Sequence, residues 1–372
     1  MRITGMRSII VELPTDLLEL ANPLGNVVRV HRKWDFVICY LNTDEGITGM
    51  GYVWTPGYGP YALKSVLDTV LAVEVTGENP LENERLWHKM WGATNYFGRR
   101  GLAVMAMTAV DVALWDIKGK AANLPWHQLF GAYQDKVPVY ASGGFVSYTV
   151  DELVEEAVRC LGEGFWGYKM FIGHPDERVD VQRVAAVRRA LGDDVRLMVD
   201  ANQAWGYGAD ALRRARLLEE FGVRWLEEPL PADDVDGMAS LRRRLPPGMP
   251  VAGGENAYTK AEIRDLLEKG AVDILQPDLF RVGGITEFLK VMGLAQAHNV
   301  PVAPHIATEL SLPLVASFKN GLTVEYMNFF DKTPVAIFAE PLRPEGGFLR
   351  PCERPGHGVE FHPETVARFR VA

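Results

Sequence analysis

Ionisable side chains stand at or near the ends of short apolar segments in the second half of the sequence. They are Lys169 in GYKMFI, Asp200 in VRLMVD, Glu227 in VRWLEE, Glu255 in PVAGGE, Asp278 in DILQPD, His305 in VPVAPH and Glu325 in GLTVEY. From Asp200 to His305 the successive steps are 27, 28, 23 and 27 residues. Each step is about the length of one strand and one helix, and the carboxyl ends of parallel strands meet at one rim. The spacing therefore predicts that these side chains ring one opening.

Three carboxylates on neighbouring segments indicate a metal site; they are Asp200, Glu227 and Glu255. Unpaired carboxylates repel one another and raise one another's pKa. A hard divalent cation relieves that repulsion, and all-oxygen ligation with room for substrate oxygens favours one Mg²⁺.

The next two segments carry an acid–base pair. A carboxylate such as Asp278 that hydrogen-bonds an imidazole holds one tautomer and makes His305 a better general base. Lys169 faces the same opening, where the carboxylates compensate its charge, and it is in position to meet an anionic substrate.

Each of these residues alone has a simpler interpretation. Asp200 and Asp278 are ordinary turn or helix caps, the glutamates are ordinary solvated or turn residues, His305 is an ordinary core histidine, and Lys169 is a counter-ion. Their joint occurrence at the ends of successive segments favours a functional site.

The elements that must position these groups alternate regularly from Val137 onward. Eight apolar segments alternate with amphipathic helical segments, which predicts a parallel sheet and favours a closed (β/α) barrel over an open sheet. Capping boxes are predicted at Thr149 with Glu152 and at Thr259 with Glu262. No GxGxxG follows a predicted strand, which weakens a dinucleotide-binding interpretation.

The rest of the chain predicts a companion unit. Strands are predicted before residue 60 and helices from there to 133, with a polar, basic loop at ANPLGNVVRVHRKW. We expect an α+β capping domain over 1–133, a catalytic barrel over 134–340, and a tail over 341–372 that returns to the capping domain.

Bulk properties exclude several classes of protein. The net charge of −9 and pI near 5.5 argue against a nucleic-acid or anionic-membrane partner. No apolar run approaches a membrane span, and the N-terminal stretch lacks a signal-peptide core. Three scattered cysteines fit a reducing cytoplasm.

The motifs VDANQAW, LEEPL, GGEN, QPDLFRVGGIT, APH and TAVDVALWDIKGKA together resemble the enolase superfamily, specifically its mandelate racemase subgroup. The resemblance covers nearly the whole chain and implies a modified (β/α)₇β barrel with an α+β capping domain. It implies Mg²⁺ bound by Asp200, Glu227 and Glu255, and a His305–Asp278 dyad as general base. It also implies that Glu325 is a protonated carboxyl group that hydrogen-bonds the substrate carboxylate, and that the chain forms a homo-oligomer.

One departure from the family pattern decides the expected reaction. The family usually carries Lys-x-Lys where this chain has Lys169-Met170-Phe171, so the acid or base on the face opposite the histidine is missing. Tyr168 and Met170 alternate away from the barrel interior and are poor substitutes. We therefore expect a hydro-lyase that dehydrates an acid sugar to a 2-keto-3-deoxy acid by β-elimination.

Three alternatives remain at this point. The first is a racemase or epimerase whose second base comes from a loop, such as His31 or His174. The second is a non-catalytic binding protein, and the third is a cycloisomerase, which the histidine dyad disfavours.

The substrate itself is not defined by these motifs. The resemblance places a lid at loops near 15–35 and 53–60, and candidate substrate contacts are Arg29, His31, Trp54 and Asn202. The expected partner is a small carboxylate, with the acid sugar unspecified.

Overall fold

The computed structural model describes residues 1–15, 20–22, 27–29, 33–206 and 208–372. Its first strands are β1 (Ile3–Pro14), β2 (Leu20–Asn22), β3 (Val27–Arg29), β4 (Lys33–Thr43) and β5 (Thr48–Thr55). Strands β1, β4 and β5 form an antiparallel sheet in that order, and β2 pairs with β3 as a separate hairpin. Part of the segment predicted as a loop is therefore paired.

Helices cover one face of this sheet. They are α1 (Pro60–Val66), which continues through a π-helical turn (Leu67–Leu71) into α2 (Ala72–Val75), then α3 (Asn83–Thr94), α4 (Leu102–Ala122) and α5 (Trp126–Leu129). Helix α4 lies so close to β5 that a Cβ atom at Gly51 would stand 2.1 Å from the Ala109 carbonyl oxygen. Glycine is needed there because the two backbones touch.

Seven parallel strands then curl into a barrel. They are β6 (Val137–Gly143), β7 (Gly167–Phe171), β8 (Arg196–Asp200), β9 (Leu226–Glu227), β10 (Val251–Gly253), β11 (Ile274–Leu275) and β12 (Val324–Met327). Strand β12 pairs with β6, and bridges from Val302 to Leu275 and Gly321 close the remaining gap. The seventh predicted strand is thus reduced to isolated bridges at Val302 and His305, and the expected α/β barrel with an antiparallel companion sheet is confirmed.

Helices connect the barrel strands. They are α6 (Val150–Gly162), α7 (Glu177–Leu191), α8 (Gly208–Leu217) with a 3₁₀ turn (Glu219–Phe221), α9 (Val235–Arg242), α10 (Thr259–Glu268), α11 (Leu279–Val282), α12 (Ile285–Ala297) and α13 (Thr308–Ser317). A 3₁₀ turn (Asn328–Lys332), β13 (Phe348–Leu349) and α14 (Pro363–Phe369) follow the barrel.

The two predicted capping boxes differ in outcome. At α6 the Thr149 side chain accepts the Glu152 N–H, and the Glu152 carboxylate accepts the Thr149 N–H, as predicted. The box predicted at Thr259 is wrong, because Tyr258 is the N-cap residue of α10 and its N–H donates to Glu262.

The inside of the barrel is divided into an apolar floor and a charged rim. The floor side chains form their own buried cluster: Tyr140, Met198, Trp225, Ala252, Ile274 and Ala303. Asp200, Glu227 and His305 lie two residues beyond Met198, Trp225 and Ala303, so they point to the same side of their strands one layer higher.

The C-terminal residues return to both parts of the molecule. Strand β13 pairs antiparallel with β6, and Arg370 bridges to Val11 at the free edge of β1. The domain boundaries at 133 and 340 stay a prediction. Among the described residues, no helix is both long enough and apolar enough to cross a membrane.

Candidate active site

Lys169 lies at the centre of the charged rim. Its Nζ atom is 2.6 Å from Glu227 Oε1, 2.8 Å from Glu325 Oε1 and 3.3 Å from Asp200 Oδ2, and the side chain is buried. Burial alone lowers the pKa of Lys169, but the charges of Glu227, Glu325 and Asp200 outweigh it and raise that pKa well above its usual value. The three carboxylates therefore compensate the charge of the buried Lys169 ammonium group.

The three predicted metal ligands lie together. Oxygen atoms of Asp200, Glu227 and Glu255 are all within 4.8 Å of one another. Burial and the neighbouring Glu227 charge raise the pKa of Asp200 well above its usual range, because one lysine cannot neutralise the group. A hard divalent cation fits this donor set by both ligand type and charge.

The neighbouring Glu228 adds to the excess of negative charge. Burial and the charge of Glu255 raise its pKa to about 8, although the Asn256 amide donates to both of its oxygens. Glu227 is held differently, since Trp225 Nε1 and Gln276 Nε2 both donate to its Oε2 at 3.0 and 2.8 Å. These neutral donors orient one oxygen while the other faces Lys169.

His305 and Asp278 form the predicted dyad. His305 Nδ1 lies 2.9 Å from Asp278 Oδ2, and its Nε2 lies 3.4 Å from Glu255 Oε2. Burial lowers the pKa of His305, but Glu255 and Asp278 raise it to about 9 overall. Asp278 also caps α11 by accepting the N–H groups of Phe280 and Arg281, so its carboxylate is fixed in place. The second imidazole nitrogen is thereby aimed at the metal ligands.

Glu325 is another carboxylate that contacts Lys169. Burial favours its neutral form, but Lys169 and His305 lower its pKa to about 2, and the Ile306 N–H donates to Oε2 at 2.9 Å. These neighbours favour the ionised form of Glu325, whereas the family resemblance implies the protonated form, and the role of Glu325 toward the substrate stays a prediction.

Phe171 points into the same opening. It pairs in register with Asp200 on β8, and its ring centroid is 5.9 Å from Lys169 Nζ. Tyr168 points outward, as predicted, since its hydroxyl donates to Glu156 of α6 at 2.9 Å. His174 Nδ1 accepts the Asp176 N–H at 3.0 Å, so this candidate for a second base is engaged within its own loop.

The predicted substrate contacts are only partly placed. His31 lies outside the described residues, and Arg29 is described as part of β3 without its side chain. Asn202 is adjacent to the site, because its backbone N–H donates to Asp200 Oδ1 at 2.7 Å. Trp54 lines a cavity of about 320 Å³ between the antiparallel sheet and the barrel.

That cavity lies beside the charged rim. Its wall includes Ile306 to Glu309, which follow His305, and Tyr326 and Met327, which follow Glu325. The three predicted metal ligands are not among its lining residues. Trp54 therefore borders a space whose wall begins one residue beyond His305 and one residue beyond Glu325.

Sequence reasoning missed the residues that orient the charged groups. Arg281 Nη1 donates to Glu255 Oε1, to the Glu255 carbonyl and to Asn256 Oδ1, while its Nε lies 3.8 Å from Asp278. The positions of these orienting residues in the sequence, relative to the rim carboxylates, could have indicated them. Trp225 and Gln276 each lie two residues before a rim carboxylate, and Arg281 lies one helical turn after Asp278.

The fold and the site together define a closed parallel barrel that carries a cluster of acidic groups, a histidine–aspartate dyad and one buried lysine at its carboxyl-terminal rim. Such a rim is where barrel enzymes place their chemistry. Comparison with known proteins identifies the family. Residues 152–365 match the family's C-terminal domain, "Enolase C-terminal domain-like", and residues 9–131 match its N-terminal domain. The chain therefore belongs to the mandelate racemase/muconate lactonizing enzyme family of the enolase superfamily.

Curated relatives extend over almost the whole chain. The 3,6-anhydro-alpha-L-galactonate cycloisomerase of Streptomyces coelicolor is 36% identical over 96% of this chain and 98% of its own. The L-talarate/galactarate dehydratase of Salmonella typhimurium is also 36% identical, over 98% of this chain and 91% of its own. A racemase from Streptomyces coelicolor, crystallised with bound magnesium, superposes with a TM-score of 0.92 at 34% identity and covers 99% of this chain and 100% of its own.

Proposed function

We propose that this chain is a Mg²⁺-dependent acid-sugar dehydratase that removes the proton α to a carboxylate and eliminates the 3-hydroxyl group. The observation that carries the proposal is the pairing of a His305–Asp278 dyad with a phenyl ring at position 171, beside three clustered carboxylates. One general base is present, and the position of the family's second base carries no titratable group.

Asp200, Glu227 and Glu255 would hold the metal ion. When bound, Mg²⁺ supplies positive charge beside the substrate oxygens and offsets the Glu255 charge that raises the pKa of His305. Relatives with bound magnesium support this assignment.

Residues of the chain then carry out proton abstraction and stabilise the charges that develop. Neutral His305 accepts the α-proton at Nε2, and the electron pair of the broken C–H bond moves toward the carboxylate as an enediolate. Asp278 holds the Nδ1 proton and stabilises the imidazolium. Lys169 supplies positive charge where the enediolate oxygens develop, and Glu325 orients the Lys169 ammonium.

Elimination completes the reaction on the same face. The C3–O bond breaks, the His305 imidazolium gives its proton to the departing hydroxyl, and water leaves. The resulting enol becomes a 2-keto-3-deoxy acid, so the atoms balance as substrate minus one water.

Cycloisomerisation is a second candidate, because a relative of equal identity is an anhydro-sugar cycloisomerase. The chemistry differs only in the leaving oxygen. If the oxygen on C3 belongs to a ring, the same β-elimination opens the ring and releases no water. Mass spectrometry of the product separates the two reactions, since only dehydration changes the mass.

A racemase or epimerase is less well supported. It needs a proton donor opposite His305, and Phe171 occupies the expected position while His174 is hydrogen-bonded within its own loop. We also propose a homo-oligomer in a reducing cytoplasm, and the three unpaired cysteines Cys39, Cys160 and Cys352 support the second point.

The decisive experiment is NMR in D₂O of the Mg²⁺-loaded protein with a panel of aldonates, aldarates and anhydro-aldonates. A 2-keto-3-deoxy acid formed with loss of water establishes the dehydratase. Deuterium at the α-carbon with inversion and no keto acid establishes an epimerase. No exchange and no product across the panel contradict the proposal.

A further inference from the structure

The Phe171 ring forms one side of the rim. Its register with Asp200 and its distance from Lys169 place it facing the charged opening. Going round the barrel from β7 in one direction, strands β8, β9, β10 and β11 come before the segment that carries His305, and in the other direction β6 and β12 come before it. Phe171 and His305 therefore lie on separate sides of the opening, and the strands and loops between them in the first direction carry the clustered carboxylates Asp200, Glu227 and Glu255.

A second aromatic ring backs the first. Phe145, in the segment between β6 and α6, stacks on Phe171 with ring centroids 5.5 Å apart and an interplanar angle of 8°. Phe145 is buried, and Tyr148 packs against it in an edge-on contact at 5.6 Å. The side of the site opposite His305 is thus an apolar wall two rings thick, which we call the phenyl wall (Phe145 and Phe171).

Buried polar groups hold the segment that carries Phe145. Arg183 of α7 is 2% exposed and donates to the carbonyl oxygens of Phe145 at 2.8 Å, Gly144 at 3.2 Å and Tyr148 at 2.6 Å. Glu156 of α6 accepts the Gly144 N–H at 2.7 Å. A buried guanidinium that satisfies three carbonyl groups of one loop fixes the loop's backbone and, with it, the position of Phe145.

We propose that the phenyl wall confines proton transfer to the His305 face of the substrate by excluding water from the opposite face, and that Arg183 is a positioning residue for that wall. The inference rests on the proposed α-proton abstraction. Under this inference Phe145 and Phe171 determine the stereochemistry of proton transfer. They do so by excluding water, because a phenyl ring cannot donate or accept a proton.

The two competing fates of the enediolate show what the wall prevents. If the His305 imidazolium returns its proton, the original configuration is restored. If a water molecule on the opposite face donates the proton, a new C–H bond forms there, hydroxide is left, and the imidazolium proton neutralises it. That second route inverts the α-carbon, and it requires a water molecule where the two rings stand.

The test follows configuration during α-hydrogen exchange in D₂O. The Mg²⁺-loaded wild type is incubated with the acid sugar that it turns over, and recovered substrate is analysed by NMR for deuterium with retained or inverted configuration. We expect retained configuration alone for the wild type. In Phe171→Ala and Phe145→Ala the inverted, deuterated epimer should rise on the order of tenfold or more relative to total exchange.

Matched variants distinguish the effect of the phenyl wall on configuration from the effect of a general loss of packing. Phe165→Ala removes another buried phenyl ring, one that precedes the start of β7 and packs on Tyr326 at 5.2 Å, and it should leave the configuration retained. Phe145→Leu keeps apolar bulk and should restore most of the retention. Arg183→Lys should raise inversion, although less than loss of either ring, because a lysine cannot reach all three carbonyl groups.

The outcomes are distinguishable. If Phe171→Ala folds, as judged by circular dichroism, and exchanges without inversion, the inference is wrong while the dehydratase proposal stands. Substantial inversion by the wild type also overturns the inference. If the wild type neither exchanges nor converts any acid sugar of the panel, the proposed function fails and the inference falls with it. Phe171 is half-buried at a strand end, so its alanine variant keeps the test informative even if Phe145→Ala does not fold.

Discussion

The charge balance of the rim depends on very few cations. Lys169 contacts three carboxylates, and Arg281 contacts Glu255 while lying near Asp278. Against these two cations and His305, whose pKa is raised to about 9, stand six acidic side chains: Asp200, Glu227, Glu228, Glu255, Asp278 and Glu325. Burial raises the pKa values of Asp200 and Glu228, and the neighbouring carboxylates raise them further. A divalent ion is the simplest way to correct this imbalance of charge.

At the residue scale we predict the effect of removing the general base. His305→Asn should lower turnover by roughly 10²–10⁴-fold or more, because the amide cannot accept the α-proton. Metal binding should persist, since Asp200, Glu227 and Glu255 are unchanged. Steady-state assays and titration of the Mg²⁺-induced shift in melting temperature measure the two quantities. Near-normal turnover would show that another group removes the proton.

Residue types and spacing were enough to predict the seven rim residues. The protonation state of Glu325 was not predictable, because it depends on the 2.8 Å approach of Lys169 and on the Ile306 N–H. Arg281, Gln276 and Trp225 act on their partners across strands or helices. A linear pattern shows that such residues face inward, and their partners become visible only in three dimensions.

At the scale of elements, only one of the two helix caps predicted from the sequence is present. Thr149 and Thr259 both precede a glutamate by three residues, and only Thr149 caps its helix. Thr259 has a left-handed backbone with φ of 57°. The hydrophobic periodicity predicted both helices, but the entry of the chain into α10 is set by its junction with β10, which a local pattern does not contain.

This difference yields a matched prediction. Thr149→Ala should destabilise the protein by about 1 kcal/mol, because it removes a helix cap. Thr259→Ala should have a much smaller effect, since the Thr259 side chain receives only a 3.3 Å contact from the Ala261 N–H. Thermal unfolding of the two variants under identical conditions provides the comparison. Equal losses would contradict the assignment of the caps.

The joint between α4 and α12 contains a titrating group. Asp111 on α4 accepts the Thr286 N–H at 2.8 Å and the Thr286 hydroxyl at 2.6 Å. Burial raises the pKa of Asp111 to about 7, although both Thr286 donors act in the opposite direction. A carboxyl whose pKa is raised on folding contributes stability at low pH, and that contribution is lost as the pH rises from about 4 through about 7.

Asp111→Asn tests this joint. An asparagine can accept the Thr286 N–H and donate to the hydroxyl, so the contact survives without a titrating charge. Between pH 5 and pH 8 the melting temperature of the wild type should therefore fall more than that of Asp111→Asn. The variant should equal or exceed the wild type at pH 8. Parallel pH profiles would show that Asp111 is already ionised in the folded protein.

At the scale of the whole molecule, metal binding should be visible as stability. A ligand present at 100 times its dissociation constant stabilises the folded state by about 2.7 kcal/mol when the unfolded chain does not bind it. Adding Mg²⁺ to chelator-treated protein should therefore raise the melting temperature by several degrees. Asp200→Asn should reduce that rise, whereas Thr149→Ala should lower both curves in parallel. A rise unaffected by Asp200→Asn would place the ion elsewhere.

The general architecture was readable from the alternation of apolar strands and amphipathic helices, supported by the family resemblance. The closure of the barrel was harder to predict from the sequence, because the seventh predicted strand is reduced to isolated bridges such as those at Val302. The pairing of the last residues with β1 also lay beyond sequence patterns. It joins residues more than 350 positions apart, and only the folded chain brings them together.

That pairing has a consequence for how the protein is made. The Ile10 N–H donates to the Ala372 carbonyl, and the Val371 N–H donates to the Ile10 carbonyl, so the edge of β1 is covered by residues that are translated about 360 positions later. At about 5–20 residues per second, a ribosome needs roughly 20–70 seconds to reach them after β1 has emerged. During that interval the nascent chain presents an unpaired strand edge, the kind of template on which polypeptides associate. Yield in the cell should therefore depend on chaperones that shield the edge of β1 until residues 371–372 have been made.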